Sequence, residues 1–323
     1  MKEKIGIIGG GIIGKELIRK LYKKGYRIPF VVRSSGVYDD SDRRIDALEN
    51  YENHFSKVDA LCLAIPTRDD GSKALEYILA SLAHNKPIAI CEKGALSNYF
   101  DVLKNSLDRI GYSATVGGGT RLLRWAQERM NPDVMEIHAI LNGTLNYVFS
   151  QLSQERTLGE VVDEAKKLGY AEPGADSHLA VINTEANRDI PMKTAILFNM
   201  LGLGEIRARN IKTKPIREVC LQKLIKQAKQ RRYIVSITRK NLHDDIIGGF
   251  NYESNGWFIS AGFKRVDENP LFSRLRVNGV NNALLFYEGK DGENGTYVLS
   301  GQGAGASPTC SSMIKDLENL LKK

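Results

Sequence analysis

The chain has 323 residues, and 46 Lys and Arg set against 38 Asp and Glu leave a net charge of +8. That length suits two domains better than one. A 42% hydrophobic and 26% charged composition is that of a globular chain, since disorder needs fewer apolar groups and a membrane protein carries more.

The first apolar stretch, Ile5 to Ile13, is broken by glycines and is followed by no small-residue cleavage pattern. Neither a signal peptide nor a membrane span is expected, and a cytoplasmic enzyme is the default. The basic run Lys226 to Arg232 lacks interleaved aromatics, so it reads as the solvated face of a helix and not as a nucleic-acid surface. A net positive charge favours anionic substrates and phosphorylated cofactors. Cys62, Cys91, Cys220 and Cys310 are scattered without a CxxC pair, and the histidines form no HxH or HExxH string. No metal site or disulfide framework is expected, and Cys62 and Cys91, set in apolar runs, read as small buried hydrophobes.

In chain order, Lys4 to Ile8 reads as a buried strand running into Gly9-Gly10-Gly11-Ile12-Ile13-Gly14. Ile13, Leu17, Ile18 and Leu21 then recur at helical spacing up to Gly25. Apolar runs at Ile28 to Val32, Ala60 to Ile65 and Pro87 to Cys91, with a helical stretch from Lys73 to Ala83, predict alternating strands and helices in a parallel sheet. Past Gly119 the pattern changes. A strand from Val134 to Leu141 precedes Asn142-Gly143-Thr144 and a helix through Leu152, and a second helix carries Leu158, Val161, Val162, Ala165 and Leu168 up to Gly169.

Beyond Arg232, Tyr233 to Ile237, Ile246 to Tyr252, Trp257 to Phe263, Leu275 to Val277, Ala283 to Tyr287 and Thr296 to Leu299 alternate with Gly, Asn and Asp turns. That pattern predicts an antiparallel sheet. A last helix with Met313, Ile314, Leu317, Leu320 and Leu321 on one face is expected to return and cover the first half. The predicted fold is α/β, a Rossmann-type doubly wound parallel sheet with a second α+β domain for substrate and dimerisation. Residues 1–119, completed by 302–323, form the first domain, and residues 120–301 form the second.

A GxGxxG string is weak evidence alone, but here it joins a strand to an amphipathic helix. Gly9 makes the tight turn, Gly11 lets a pyrophosphate approach the backbone, and Gly14 permits close helix packing. The helix start at Ile12 and Ile13 offers free N–H groups to phosphate. About 20 residues on, where an NAD site places a carboxylate on the ribose, stand Arg33-Ser34-Ser35. A guanidinium with a neighbouring hydroxyl suits a 2′-phosphate, so NADP(H) is the expected cofactor, with NAD(H) the alternative.

Asp189-Ile190-Pro191-Met192-Lys193 opens another apolar-patterned stretch. Proline belongs in a first turn, so an amphipathic helix is expected to start near Asp189, with its positive end beside the Lys193 ammonium. Spacing of i,i+4 puts Asp189 and Lys193 on one face, where an exposed ion pair is the ordinary outcome.

From residue 4 to about residue 318 the chain resembles homoserine dehydrogenases. The matching strings are Cys91-Glu92-Lys93-Gly94-Ala95-Leu96, Ala114-Thr115-Val116-Gly117-Gly118-Gly119, Leu141-Asn142-Gly143-Thr144-Leu145-Asn146-Tyr147, Gly169-Tyr170-Ala171-Glu172-Pro173, the Asp189 and Lys193 pair, and Gly301 to Thr309. The resemblance implies an oxidoreductase of amino-acid biosynthesis that interconverts L-aspartate 4-semialdehyde and L-homoserine with NAD(P)H, on the way to threonine and methionine. It also implies a homodimer.

Carried over by motif, Lys193 is the catalytic lysine. Lys93 serves catalysis and the cofactor ribose, Glu172 and Asp189 hold the substrate ammonium, and Thr144 and Tyr170 lie at the substrate. Thr67 and Gly303 join the cofactor-binding set. An ammonium beside the carbonyl oxygen stabilises its growing charge and delivers a proton.

Three departures stand out. Glu92 replaces the family's Asn and is expected to add negative charge near the nicotinamide. Ser113 replaces a Glu that helps hold a monovalent cation in family members, and no metal is assigned. The segment from Glu172 to Asp189 is longer than usual. They motivate the competing reading, a catalytically weak NADP-binding sensor or a paralogue acting on another small aldehyde or hydroxy acid.

Overall fold

The computed structural model describes residues 3–67, 70–171, 175–241, 245–267, 270–290 and 293–322. The chain divides into two compact units, Met1–Thr115 with Ala306–Lys323, and Val116–Gly305. No helix among the described residues is long and apolar enough to cross a membrane.

The first unit is built on seven strands: β1 (Ile5–Ile8), β2 (Val31–Arg33), β3 (Gly36–Tyr38), β4 (Arg44–Asp46), β5 (Ala60–Leu63), β6 (Ile88–Ile90) and β7 (Ile110–Gly111). Their order is β4-β3-β2-β1-β5-β6-β7. The five strands from β2 to β7 across that order are parallel, whereas β3 and β4 run antiparallel as an added hairpin. Every residue of β1 and β5 is buried, which is why both read as unbroken apolar runs and not as alternating ones.

One face is covered by helices Ile12–Lys23 and Ala306–Leu320. Leu17, Leu21, Met313, Ile314 and Leu317 pack there with Ile5, Ile7, Ala60, Cys62 and Ala89. The C-terminal helix is further pinned by Asp316, whose carboxylate accepts from the Ser113 N–H and the Ser113 hydroxyl, both at 2.7 Å. Tyr51 and Tyr77 meet edge to face at 4.8 Å, and Phe30 stacks on Phe55 at 6.3 Å.

The second unit carries an antiparallel sheet of β8 (Val134–Ile140), β9 (Arg231–Thr238), β10 (Ile247–Ser254), β11 (Trp257–Arg265), β12 (Asn281–Glu288) and β13 (Gly295–Gln302). The order is β10-β11-β9-β8-β12-β13. Helix Gly143–Leu152 sets Phe149 against Phe263 of β11 with ring centres 4.3 Å apart, and the Tyr233 hydroxyl of β9 donates to the Ala186 carbonyl. Ile140, Ile234, Ala283 and Leu285 lie under a plug made by Val266, Phe272 and Leu275.

Three expectations need correction, and one element was not foreseen. The run Leu275 to Val277 is not a strand: its main chain turns back on Phe272, Ser273 and Leu275, so its apolar residues cap the sheet. The basic run does not lie on one solvated helical face. Its helix ends at Lys226, and Arg231 and Arg232 begin β9 as buried residues, Arg231 pairing with Asp245 and donating to the Phe263 carbonyl. The β3–β4 hairpin was not expected. The unit boundaries fall four residues from the expected ones at both crossings, because residues 116–120 pack on 301–305: a Cβ on Gly118 would lie 2.7 Å from the Gly303 carbonyl.

Candidate active site

In the first unit, a cavity of 570 Å³ opens at the C-terminal ends of β1, β2 and β5. Gly9, Gly11, Arg33, Ser34, Ala64 and Glu92 are among its lining residues. Gly9 has φ +117, and a Cβ there would lie 2.2 Å from the Ala64 carbonyl oxygen. Only glycine fits such a turn. A Cβ on Gly14 would sit 1.9 Å from the Gly9 carbonyl oxygen, whereas one on Gly11 would meet nothing within 4 Å. Gly14 therefore seats the helix on the turn, and Gly11 leaves open space in front of the backbone. Helix Ile12–Lys23 starts there with Ile12 exposed and Ile13 against the core. This glycine cradle, opening beside a helix start, fits the pyrophosphate of a dinucleotide.

Arg33 ends β2 with its guanidinium 4.4 Å from the Tyr38 ring centre, and its Nη2 pairs with Asp42. Sequence reading found no carboxylate at the end of β2, yet the hairpin returns one to it. The signal was the Arg33-to-Gly36 reversal, too short to be seen as a hairpin without its register.

Thr67 and Lys93 meet at the end of β6, where the Lys93 N–H donates to the Thr67 hydroxyl at 3.3 Å. Glu92 beside them is buried, and its carboxylate accepts from the Gly94 and Ala95 N–H groups at 2.6 and 3.0 Å. Burial raises its pKa above the ordinary carboxylate value, while those main-chain donors and Thr67 oppose the rise. Glu92 thus lines the cofactor cavity while the first N–H groups of helix Gly94–Asn98 hold its carboxylate. Ser113 likewise is engaged with Asp316.

In the second unit, Lys193 and Asp189 form an ion pair at 2.6 Å. The pair is buried, Lys193 9% and Asp189 6% exposed, and not on a solvated surface. Nor does a helix begin at Asp189. Helix His178–Thr184 continues through a π-helical turn, Glu185–Asp189, into helix Ile190–Met200, with Thr184 and Asp189 themselves in helical conformation. The wider turn accommodates Pro191, which has no N–H to give and whose ring crowds the preceding turn. The start of its own helix therefore does not bear on Lys193. Every residue of Ile190–Met200 is buried, so the helix is enclosed and not amphipathic.

The Lys193 ammonium also donates to the Leu141 carbonyl at 2.9 Å. Among the described residues two acceptors, Asp189 and Leu141, face its three N–H donors. Asn142, at the N-cap of helix Gly143–Leu152, accepts from the Leu145 N–H at 2.7 Å through its carbonyl oxygen. Its amide donates to Glu185 at 2.5 Å and to Asp189 at 2.8 Å. Sequence reading treated Asn-Gly-Thr as a strand end and left Glu185 without a role.

The Thr144 hydroxyl donates to the Tyr170 carbonyl at 2.6 Å, and Tyr170 meets Tyr147 edge to face at 5.3 Å. Gly303 lies against Asn282, where a Cβ would be 1.5 Å from the amide oxygen, so close packing within the second unit requires it to be glycine. Glu172 lies outside the described residues.

A family model described as homoserine dehydrogenase matches residues 123–317, more than half of the chain. The chain belongs to the homoserine dehydrogenase family. It is 26% identical to the homoserine dehydrogenase of Methanocaldococcus jannaschii, over 96% of this chain and 96% of that protein. The crystal structure of homoserine dehydrogenase from Thermoplasma acidophilum superposes with a TM-score of 0.73 over 100% of both chains at 17% identity. A hyperthermophilic archaeal homoserine dehydrogenase in complex with NADPH gives a TM-score of 0.64 at 20% identity, over 98% of this chain and 97% of that one. Membership of a dehydrogenase family favours the enzyme over the sensor reading.

Proposed function

We propose that this protein catalyses the NAD(P)H-dependent interconversion of L-aspartate 4-semialdehyde and L-homoserine, with Lys193 as general acid and base. The observation that carries the reading is the buried Lys193–Asp189 pair, in which the described residues occupy two of the three ammonium N–H groups. Gly9, Gly11, Gly14, Ile12 and Ile13 would hold the cofactor pyrophosphate, Arg33 and Ser34 its adenosine ribose or 2′-phosphate, and Thr67 and Lys93 the nicotinamide half. The bound nicotinamide supplies hydride to the aldehyde carbon, or accepts it in reverse.

Lys193 donates an N–H to the carbonyl oxygen and transfers a proton there as negative charge grows. Asp189 and the Leu141 carbonyl hold the amine in one orientation, so little reorganisation is needed. Glu172 and Asp189 bind the substrate ammonium, with Thr144 and Tyr170 beside the substrate.

The reading includes a homodimer, supported by β13, an edge strand that stays partly exposed. It also includes a cytoplasmic setting, supported by four free thiols.

The test is homoserine oxidation followed by absorbance of the reduced cofactor. Lys193→Ala is expected to lower kcat by about 100-fold or more with cofactor affinity retained. Parental turnover in that variant would overturn the assignment.

A further inference from the structure

Arg33 lines the cofactor cavity at the end of β2, where a guanidinium suits a ribose phosphate. Strand β2 reverses through Ser34 and Ser35 into β3, and the 39–43 loop then brings the chain back into β4. Asp39 organises that loop, its carboxylate accepting from the Ser41 and Arg43 N–H groups at 3.0 and 2.9 Å and from the Arg43 guanidinium at 2.9 Å. Arg43 is thus committed to Asp39, and the Arg44 Nε donates to the Asp46 carbonyl at 3.3 Å. The loop closes on Asp42, in the left-handed region at φ 64, and Asp42 pairs with the Arg33 guanidinium. Tyr38 holds the same guanidinium from the ring side.

Between residues 33 and 46 there are three arginines, Arg33, Arg43 and Arg44, and four aspartates, Asp39, Asp40, Asp42 and Asp46. A segment expected to receive a phosphate dianion therefore carries one net negative charge. Carboxylate and phosphate compete for a guanidinium through the same forked N–H donors.

We propose that Asp42 is a resident competitor for the 2′-phosphate of NADP(H): its carboxylate engages Arg33, must release it before the phosphate binds, and so sets the preference between NADPH and NADH. The inference rests on the dinucleotide reading of the cavity. Asp42 is 69% exposed at its side chain, so water screens the pair and the competition is worth a few-fold in affinity, not orders of magnitude.

The test is NADPH and NADH binding by fluorescence titration at low salt, in the parent, Asp42→Asn and Asp42→Glu. Asparagine tolerates a left-handed φ, so Asp42→Asn removes the charge and keeps the loop. That variant is expected to bind NADPH about three- to fivefold more tightly, with NADH affinity changed less than about twofold. Asp42→Glu, which keeps the charge, should stay near the parent. The gain should vanish in an Arg33→Ala background, since a competitor needs its target.

Unchanged NADPH affinity in Asp42→Asn, equal gains for both dinucleotides, or a gain that persists without Arg33 would each overturn the inference while leaving the cofactor reading intact. A parent that binds neither dinucleotide would instead overturn the cofactor reading, and the inference with it.

Discussion

Asn142 shows how one neutral side chain can organise charged ones. Its amide spans Glu185 and Asp189, and its carbonyl oxygen caps the helix that begins at Gly143. Replacing it with alanine removes the cap and takes a donor from two buried carboxylates. Asn142→Ala is expected to lose about 2–4 kcal/mol of stability and to lower kcat as Asp189 shifts against Lys193, with NADPH affinity unchanged. Urea titration and steady-state kinetics would check this, and parental stability with parental kcat would count against the role.

Spacing of i,i+4 put Asp189 and Lys193 on one face because it is local information, and the resemblance to homoserine dehydrogenases made that pair the candidate site. It was silent on Asn142 meeting Glu185, since those residues are 43 apart and their meeting depends on how a helix crosses the end of β8. The same limit hid Asp42: its encounter with Arg33 depends on the register of a short hairpin.

At the scale of elements, the glycine turn and the interrupted helix behave oppositely. The turn was legible because each glycine answers a steric demand made by its near neighbours. Gly14→Ala would put a Cβ 1.9 Å from the Gly9 carbonyl oxygen, a backbone contact that no side-chain rotation can relieve. Helix Ile12–Lys23 would have to lift from the turn, at a cost of about 1–3 kcal/mol and with weaker NADPH binding. A variant with parental denaturation midpoint and parental NADPH affinity would disprove that fit.

The proline in Asp189-Ile190-Pro191 was read by its usual meaning, a helix start. The π turn at Glu185–Asp189 reverses that reading, because a widened turn accepts a proline that a regular one rejects. Nothing in the local pattern marks the turn. Burial of every residue in Ile190–Met200 also erased the polar face that periodicity uses to separate helix surface from core. Arg231 and Arg232 escaped in the same way: a basic pair reads as surface unless carbonyl and carboxylate acceptors such as Phe263 and Asp245 wait in the fold.

For the whole molecule, the ionisable groups enclosed by both units govern behaviour in alkali. Burial raises the pKa values of Cys62, Tyr51 and Tyr233 above their ordinary range and pushes Cys310 up to about 12. The folded chain therefore keeps protons that the unfolded chain releases from ordinary values of 9.0 for cysteine and 10.0 for tyrosine. Stability from these groups is fully present below those values and is lost as pH rises through the folded ones. The urea midpoint is expected to be lower at about pH 10.5 than at about pH 8.5, followed by circular dichroism. An equal or higher midpoint in alkali would contradict the burial of these groups.

The sequence by itself determined the alternation of strands and helices in the first unit, the antiparallel run in the second, the glycine cradle and the Asp189–Lys193 pairing. Each of these is written in spacings of a few residues, where sterics and periodicity act directly. Only the tertiary structure decided that the Lys193 pair is buried, that Asn142 and Glu185 join it, that Ser113 is held by Asp316, and that Asp42 occupies Arg33. Those outcomes depend on hydrogen-bond acceptors and on exclusion of water, and both are supplied by residues far apart in the chain that come together only when the sheets and helices pack.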